Sequence, residues 1–222
     1  MSGRDLEGLR VLVTAGPTRE HLDPVRFLSN PSSGRMGYAL AEEAASRGAR
    51  VVLVSGPTRL PEPEGVETLR VTSADEMLDL CRREFSKCEV LIAAAAVCDF
   101  RPRQHHEKKQ SKKTMELILE LERTPDVLAT LAAEKGERFL VGFAAQTGDP
   151  VPAARLKLRD KSLDLIVAND VSAPGVGFAS LENRVTILAT DGSAVELGPA
   201  PKREIAAGIW NRIVECSSDP AS

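Results

Sequence analysis

Between Gly16 and Gly37 the chain gathers arginines, carboxylates, an asparagine and a serine pair into one long loop, and the chemistry this set suits is anion binding. Thr18, Arg19, Glu20, Asp23, Arg26, Ser29 and Asn30 are interleaved with Pro17, Pro24 and Pro31, which stiffen the backbone by fixing φ. Ser32-Ser33-Gly34 then stands where a helix should begin. Free N–H groups at a helix N-terminus, backed by the macrodipole, suit a phosphate or a carboxylate. The alternative is that Ser32 or Ser33 simply caps the helix and the arginines are solvated. Against that alternative, a loop that only connects two elements is usually much shorter.

Further reactive or ligand-binding types recur along the chain. Ala93 to Ala96 are small enough to let a flat group approach the backbone, or they merely pack beneath helices. Asp99 follows them. From Arg101 to Thr114 runs a basic stretch without apolar side chains, Arg-Pro-Arg-Gln-His-His-Glu-Lys-Lys-Gln-Ser-Lys-Lys-Thr, whose composition reads as a disordered surface loop. His105 and His106 lack a third spaced ligand and are weak evidence for a metal. Lys157 and Lys161 are four apart, so on a helix they face one way, toward solvent or toward phosphates.

The elements that must position these groups alternate between strand and helix. Val11–Val13 predicts a first strand and Met36–Arg47 an Ala-rich helix closed by Gly48. Val51–Val54, a strand near Leu69–Val71 and a helix capped by Ser73, with Glu76 at the capping-box position, follow. Val90–Val97 is a continuous apolar run, expected of a strand buried on both faces. After the basic stretch come Met115–Leu121, a helix from Pro125, the strand Phe139–Phe143, a helix over Ala153–Lys161 and the strand Leu165–Ala168. Arg184–Leu188 and Ala194–Leu197 flank Asp191-Gly192 as a β-hairpin, and a last helix carries Trp210 as a core anchor. The predicted class is α/β: a Rossmann-like, mostly parallel sheet with helices on both faces and an antiparallel β-hairpin addition. Gly16, Gly56, Asp99, Phe143–Thr147 and Asn169-Asp170 all follow strand ends, where ligands of such sheets collect.

The glycine pattern is nevertheless wrong for a dinucleotide. G-x-G-x-x-G is missing, and the second strand ends at Ser55-Gly56 instead of an acidic residue that would hold a ribose. The only tyrosine is Tyr38, so no Tyr-x-x-x-Lys pair exists for a short-chain NAD(P)-dependent oxidoreductase. That class and a non-catalytic nucleotide-binding module are the two rival readings.

At 222 residues, with 42% hydrophobic and 27% charged side chains, the chain predicts one domain over 1–216 and a loose tail over 217–222. A net charge of −3 argues against nucleic acid as the main partner. Cys81, Cys88, Cys98 and Cys216 show no C-x-x-C pair and read as free thiols of a reducing compartment. No run reaches transmembrane length and the start is too polar for a signal peptide, so a cytoplasmic protein is expected.

Gly16-Pro-Thr-Arg-Glu, Asp23-Pro-Val-Arg26, Ser29-Asn30-x-Ser-Ser-Gly34-x-Met-Gly37, Ala93-Ala-Ala-Ala-Val-Cys-Asp99-Phe, Thr124-Pro-Asp-Val-Leu128, Val141-Gly-Phe-Ala-Ala-Gln-Thr147 and Ala168-Asn-Asp-Val-Ser172 occur in order. Together, from about Leu9 to Val214, they resemble phosphopantothenoylcysteine synthetase, the ligase of coenzyme A biosynthesis. In bacteria this domain is usually fused behind a flavin-dependent decarboxylase; no flavin is expected in the ligase part itself.

The resemblance implies that 4′-phosphopantothenate and L-cysteine are joined through an acyl-nucleotidylate, with CTP as the co-substrate of bacterial members, ATP that of the eukaryotic type, and Mg²⁺ on the triphosphate. It implies a catalytic group of Asn30, Arg26, Ala95 and Lys108. Nucleotide contacts are implied at Ala93, Ala94, Ala95, Asp99, Lys108, Lys112, Pro125, Asp126, Val127, Leu128, Phe143, Lys157 and Lys161, and substrate contacts at Asn30, Ser32, Ser33 and Gly34. The resemblance also implies that the basic stretch, about 101–114, is a flap that closes over the nucleotide phosphates; its lysines do not align uniquely with the family's Lys-x-Lys-Lys pattern, so Lys108 is the first choice for the triphosphate and Lys112 the second. The metal ligands stay unknown. A homodimer is implied, for which the strand content after Asn169 and the hairpin are candidate material. Asn30, rigid between Pro24 and Pro31, donates and accepts hydrogen bonds without ionising, which suits orienting a mixed anhydride.

Overall fold

The computed structural model describes residues 3–111, 118–170 and 182–218. In chain order the elements begin with β1 (Arg10–Ala15), β2 (Arg19–His21), β3 (Phe27–Ser29), α1 (Arg35–Ser46), β4 (Arg50–Ser55) and β5 (Val66–Arg70). Then come α2 (Ala74–Phe85), β6 (Val90–Ala93), β7 (Phe100–Pro102), β8 (Leu121–Arg123) and α3 (Val127–Ala132). The chain continues with β9 (Phe139–Gln146), α4 (Val151–Asp160), β10 (Leu165–Asp170), β11 (Glu182–Ala189), β12 (Ala194–Pro201) and α5 (Lys202–Ser218).

Eight strands form one sheet in the order β12-β11-β10-β9-β6-β1-β4-β5. Pairing is parallel from β5 to β10 and antiparallel where β11 and β12 are added. From β1 the chain builds outward through β4 and β5, then crosses back to start the other half at β6. This reversal is the topological switch point of a doubly wound sheet.

Alternation along the strands divides the core in two. Val11, Val13, Ile92, Val141, Leu165 and Val167 face α1 and α5, where Tyr38, Leu40, Ile205, Ile209 and Trp210 pack. Leu12, Leu91, Leu140 and Ile166 face the opposite layer, against Met77, Phe85, Leu128, Leu131 and Leu158. Trp210 is fully buried and its indole N–H donates to the Leu40 carbonyl (2.9 Å), fastening α5 to α1. All four cysteines are free, and burial pushes the Cys81 and Cys88 thiols up to about 12 and about 11, so both serve as packing. No helix among the described residues is long and apolar enough to cross a membrane.

Three elements differ from the sequence reading, each for a local reason. The apolar run Val90–Val97 is a strand only as far as Ala93. Its ladders with β1 and with β9 both stop at Ala93, opposite Thr14 and Gly142, and Ala94–Val97 continue as a partly buried loop. The polar loop after β1 folds into the hairpin β2–β3, whose turn is held by Asp23 Oδ1 accepting from the N–H groups of Val25 and Arg26 (2.9 Å each). Finally, neither serine caps α1. The cap is Gly34, left-handed at φ 77°, without a side-chain hydrogen bond, while Ser32 Oγ accepts from the Gly34 N–H at 3.3 Å. Of the run Met115–Leu121, residues 115–117 lie outside the described residues, and Leu121 opens β8, paired with β7.

Gly37 permits the close contact that brings α1 down on the end of β1. A Cβ there would stand 2.5 Å from Ala15 Cβ and 2.9 Å from the Thr14 carbonyl oxygen. Both obstacles belong to the central strand and cannot swing away. Gly37→Ala should therefore cost about 1–3 kcal/mol by overpacking, despite alanine's better helix propensity. Urea denaturation would show it as a lower midpoint; an unchanged or raised midpoint would mean that α1 rides freely over β1.

Candidate active site

Where β1 and β6 diverge, a cavity of about 550 Å³ opens at the carboxyl edge of the parallel strands. Asn30 to Gly37 wall it on the α1 side, and Ala93 to Asp99 form its floor. Arg123 to Leu128, with Lys157 and Lys161 of α4, wall the opposite side, Phe143 and Ala145 rise from β9, and Asn169, Asn183 and Lys202 close the far end. Pockets of this size and mixed lining are typical of small-molecule sites.

The floor is held by main-chain bonds that replace the interrupted ladders. Ala96 N–H donates to the Gly16 carbonyl (2.9 Å), and Thr18 N–H donates back to Ala96 (3.3 Å). The fully buried Thr18 accepts through Oγ1 from the Cys98 N–H (2.9 Å). Asn30 completes the stitching: its Nδ2 donates to the carbonyls of Ala96 and Val97, both at 3.1 Å. Both amide hydrogens are thus spent on the floor, and Oδ1 is what remains for a ligand. Of the donor and acceptor capacity that the sequence assigned to Asn30, the acceptor therefore faces the cavity and the donors hold its floor.

Small side chains at Ala93, Ala94 and Ala95 leave the backbone of the floor open to the cavity. On the α3–α4 wall the polar groups are interlocked. Asp126 caps α3, Oδ1 accepting from the Ala129 N–H (2.9 Å), while its other oxygen pairs with Lys161 Nζ at 2.5 Å. Lys157 Nζ donates to the Phe143 carbonyl at 2.7 Å. Burial first, then the like charge of Lys161, hold the Lys157 ammonium below the ordinary lysine pKa. The exposed Asp99 lines the same space.

Of the residues singled out in the sequence, Asn30, Ser32, Ser33, Gly34, Ala93 to Ala95, Asp99, Pro125 to Leu128, Phe143, Lys157 and Lys161 all line this cavity. Arg26 and Lys108 do not. Arg26 belongs to the tip of the β2–β3 hairpin, where Nη2 pairs with the buried Asp23 carboxylate at 2.5 Å and also donates to the Gln110 carbonyl (3.0 Å). Asp23 in turn accepts from the Gln110 N–H (3.2 Å), and the Leu22 carbonyl accepts from His106 N–H (2.9 Å). The segment carrying Lys108 and Lys109 is therefore moored to the hairpin, and Arg26 with Asp23 forms the mooring. Lys112 lies outside the described residues. The guanidinium beside Asp23 holds its carboxyl far below the usual carboxylate range.

The cavity also contains residues that the sequence did not single out: Arg35, Arg123, Asn183 and Lys202. Arg35 adjoins the Ser-Ser-Gly turn and was within reach of that motif. Arg123 rises from β8 over the Phe100 ring, 5.7 Å from its centroid. Asn183 and Lys202 are remote in sequence, and only the antiparallel addition brings them here. Among the described residues no group of three His, Cys, Asp or Glu side chains is arranged to hold a metal.

The depressed pKa of Lys157 has a directional consequence. Its cationic form is disfavoured in the free protein, and a bound polyanion restores it, so binding takes up a proton in the interval between the two pKa values. Affinity for inorganic pyrophosphate should be full below that interval. It should fall as pH rises through the lowered pKa, before ordinary lysines deprotonate. Lys157→Met should remove this alkaline limb. Calorimetric titrations across pH would check it, and a limb that persists in the variant would assign the titration elsewhere.

The family described as DNA/pantothenate metabolism flavoprotein C-terminal domain matches residues 6–216. The coenzyme A biosynthesis bifunctional protein CoaBC of Bacillus subtilis (strain 168) is 47% identical over 213 residues, covering 96% of this chain and 52% of that protein. Its namesake in Escherichia coli (strain K12) is 45% identical over 195 residues, covering 86% and 48%. The chain thus spans about half the length of these curated relatives. A crystal structure of the C-terminal domain of a coenzyme A biosynthesis bifunctional protein CoaBC superposes with a TM-score of 0.84 at 43% identity, covering 98% of this chain and all of that one. With most of its motif segments reaching one cavity and nearly its whole length matched, the chain belongs to the family of DNA/pantothenate metabolism flavoprotein C-terminal domains.

Proposed function

We propose that the domain is a phosphopantothenate–cysteine ligase using CTP. It joins 4′-phosphopantothenate to L-cysteine through an acyl-cytidylate, with release of pyrophosphate and then CMP. The observation that carries this reading is the convergence on one cavity of the Ser-Ser-Gly turn, Ala93–Asp99, Thr124–Leu128, Phe143 and the Lys157/Lys161 pair. The relatives are bifunctional proteins of coenzyme A biosynthesis by name, which supports fusion to a decarboxylase half in a longer protein. A cytoplasmic homodimer belongs to the same reading.

In the first step a carboxylate oxygen of phosphopantothenate attacks the α-phosphorus of CTP and pyrophosphate leaves. In the second, the cysteine amine attacks the acyl carbon, loses a proton, and expels CMP. Both reactions crowd negative charge, so positioning and fixed positive charge do most of the catalysis. Lys157 and Lys161 line the cavity and supply cations suited to a triphosphate, and the open first turn of α1 offers backbone N–H donors. Lys108 does not line the cavity, and its segment is bonded to the β2–β3 hairpin. Asn30 Oδ1 is an acceptor suited to an ammonium or N–H group. A divalent ion such as Mg²⁺, which neutralises triphosphate charge when bound, suits a site where Asp99 stands beside substrate phosphates and the other lining carboxylate, Asp126, is paired with Lys161.

Turnover tests the reading directly. Pyrophosphate release should require phosphopantothenate, and the specificity constant with CTP should exceed that with ATP. Release independent of phosphopantothenate, or NADH oxidation in its place, would remove the ligase assignment, and equal or better use of ATP would remove the CTP assignment alone.

Asn30→Asp separates a ligand-orienting role from a floor-holding one. The substitution sets a carboxylate oxygen against two carbonyl oxygens at hydrogen-bond distance. Losing the donor from this buried arrangement should cost about 1–3 kcal/mol of stability and displace the floor under both steps. Quenched-flow should then show acyl-cytidylate formation and its consumption by cysteine slowed together. Accumulation of the intermediate in a variant of undiminished stability would instead show that Asn30 acts on the second step alone.

A further inference from the structure

Ser32 to Gly37 wall the cavity where α1 begins, yet no side chain caps the helix there. The groups that fix this turn lie behind it, between α1 and the loop after β4. Tyr38 closes the turn through its backbone, its N–H donating to the Gly34 carbonyl at 3.1 Å. Its side chain is buried, and the phenol oxygen meets Ser55 Oγ (3.0 Å), Thr58 Oγ1 (3.1 Å) and Arg70 Nη1 (2.9 Å). Neither Tyr38 nor any of these three partners lines the cavity.

Counting protons orders this group. Ser55 Oγ spends its one hydrogen on the Gly56 carbonyl (2.9 Å), so the Tyr38 hydroxyl donates to Ser55. The Tyr38 oxygen then accepts from Arg70 and from Thr58. A threonine whose hydroxyl is held in this way has its χ1 chosen, and with it the place of its methyl.

That methyl fills the space left by two glycines. A Cβ on Gly16, just after β1, would stand 2.9 Å from Thr58 Cγ2, and a Cβ on Gly34 would stand 2.7 Å from it. A Cβ on Gly34 would also come 3.3 Å from Gly16 Cα. Gly16, Gly34 and Thr58 therefore form one close junction between the end of β1, the start of α1 and the loop after β4. Packing this tight passes the loss of a single methyl on to its neighbours.

We propose that Thr58, its methyl set by the Tyr38 hydroxyl, is a positioning residue for the Ser32–Gly37 wall of the cavity. It clamps Gly34 against Gly16 from behind and itself meets no ligand. The bearing of the clamp on catalysis rests on the ligase reading, whereas the clamp itself does not.

The whole chain and three variants test it by two readouts taken well below melting. One is hydrogen exchange of the Tyr38 amide, which reports the first turn, against the amides of Leu91 and Ile92 in the central strand β6. The other is kcat/KM for CTP- and phosphopantothenate-dependent pyrophosphate release. Thr58→Ser keeps the hydroxyl and deletes the methyl. It should speed Tyr38 exchange about tenfold, leave Leu91 and Ile92 within about twofold, and lower kcat/KM about tenfold, as a sub-ångström misplacement of a cavity wall can. Thr58→Val keeps a methyl beneath the glycines and should restore both readouts to within about threefold of the parent. Tyr38→Phe keeps the ring and frees the threonine to turn, so it should move both readouts in the direction of Thr58→Ser. Tyr38 exchange in Thr58→Ser within about twofold of the parent would overturn the clamp, and so would a valine variant as impaired as the serine one. Faster exchange with an unchanged kcat/KM would overturn the positioning role. A parent without CTP-dependent turnover would remove the ligase reading, and the clamp would then stand or fall on exchange alone.

Discussion

Everything at the cavity depends on how the backbone is satisfied where β1 and β6 part. Parallel strands that stop pairing leave N–H and C=O groups that must find partners or face water. Here they are sewn together across the gap: Ala96 to Gly16, Thr18 to Ala96, Cys98 to the Thr18 hydroxyl, and Asn30 to Ala96 and Val97. The resulting loop is rigid without being a strand, so it presents alanine side chains and open backbone to a ligand. A continued ladder would have closed the same space, and an unsewn loop would not hold its place.

The acidic residues of this region are occupied with holding the frame. Glu20 is buried because its carboxylate accepts from the Ala74 N–H at the start of α2 (2.9 Å), which docks the β2–β3 hairpin on that helix. Asp23 organises the hairpin turn and grips Gln110. Asp126 caps α3 and pairs with Lys161. With these carboxylates committed, the lysines and arginines at the cavity prevail locally in a chain whose net charge is −3. Net charge is a poor guide to a site built in this way.

Which parts were legible follows from what each signal measures. Apolar periodicity reports burial, so the central strands, the α1 stripe and Trp210 could be placed from sequence, as could the class of sheet and the strand ends where ligands gather. Periodicity cannot report where a ladder ends, and Ala94–Val97 read as strand because alanine and valine suit a buried loop equally well. The Ser-Ser-Gly turn announced a helix start, but only the left-handed backbone of Gly34 shows that the turn leaves the helix uncapped by a serine. Arg26 and Asp23 are three apart in one motif, and nothing in their types tells whether an arginine faces a ligand or its own carboxylate. Lys202 carried no local signal at all. It matters because β11 and β12 return the chain to the same edge and start α5 there.

The two layers around the cavity handle their cations differently, and the difference bears on function. On the α3–α4 side, Lys161 is paired with Asp126, and Lys157 lies buried against the Phe143 carbonyl, within the field of Lys161 as well as of Asp126 and Asp99. On the α1–α5 side, the charge felt by Lys202 is that of Arg35, and burial weakens both water's screening and its solvation. Repulsion stored in the free protein is released when an anion arrives, so it contributes to affinity for the anion and not to the fold. Each wall thus holds a buried lysine beside a second cation, and on the α3–α4 wall a carboxylate, Asp126, stands within the same field.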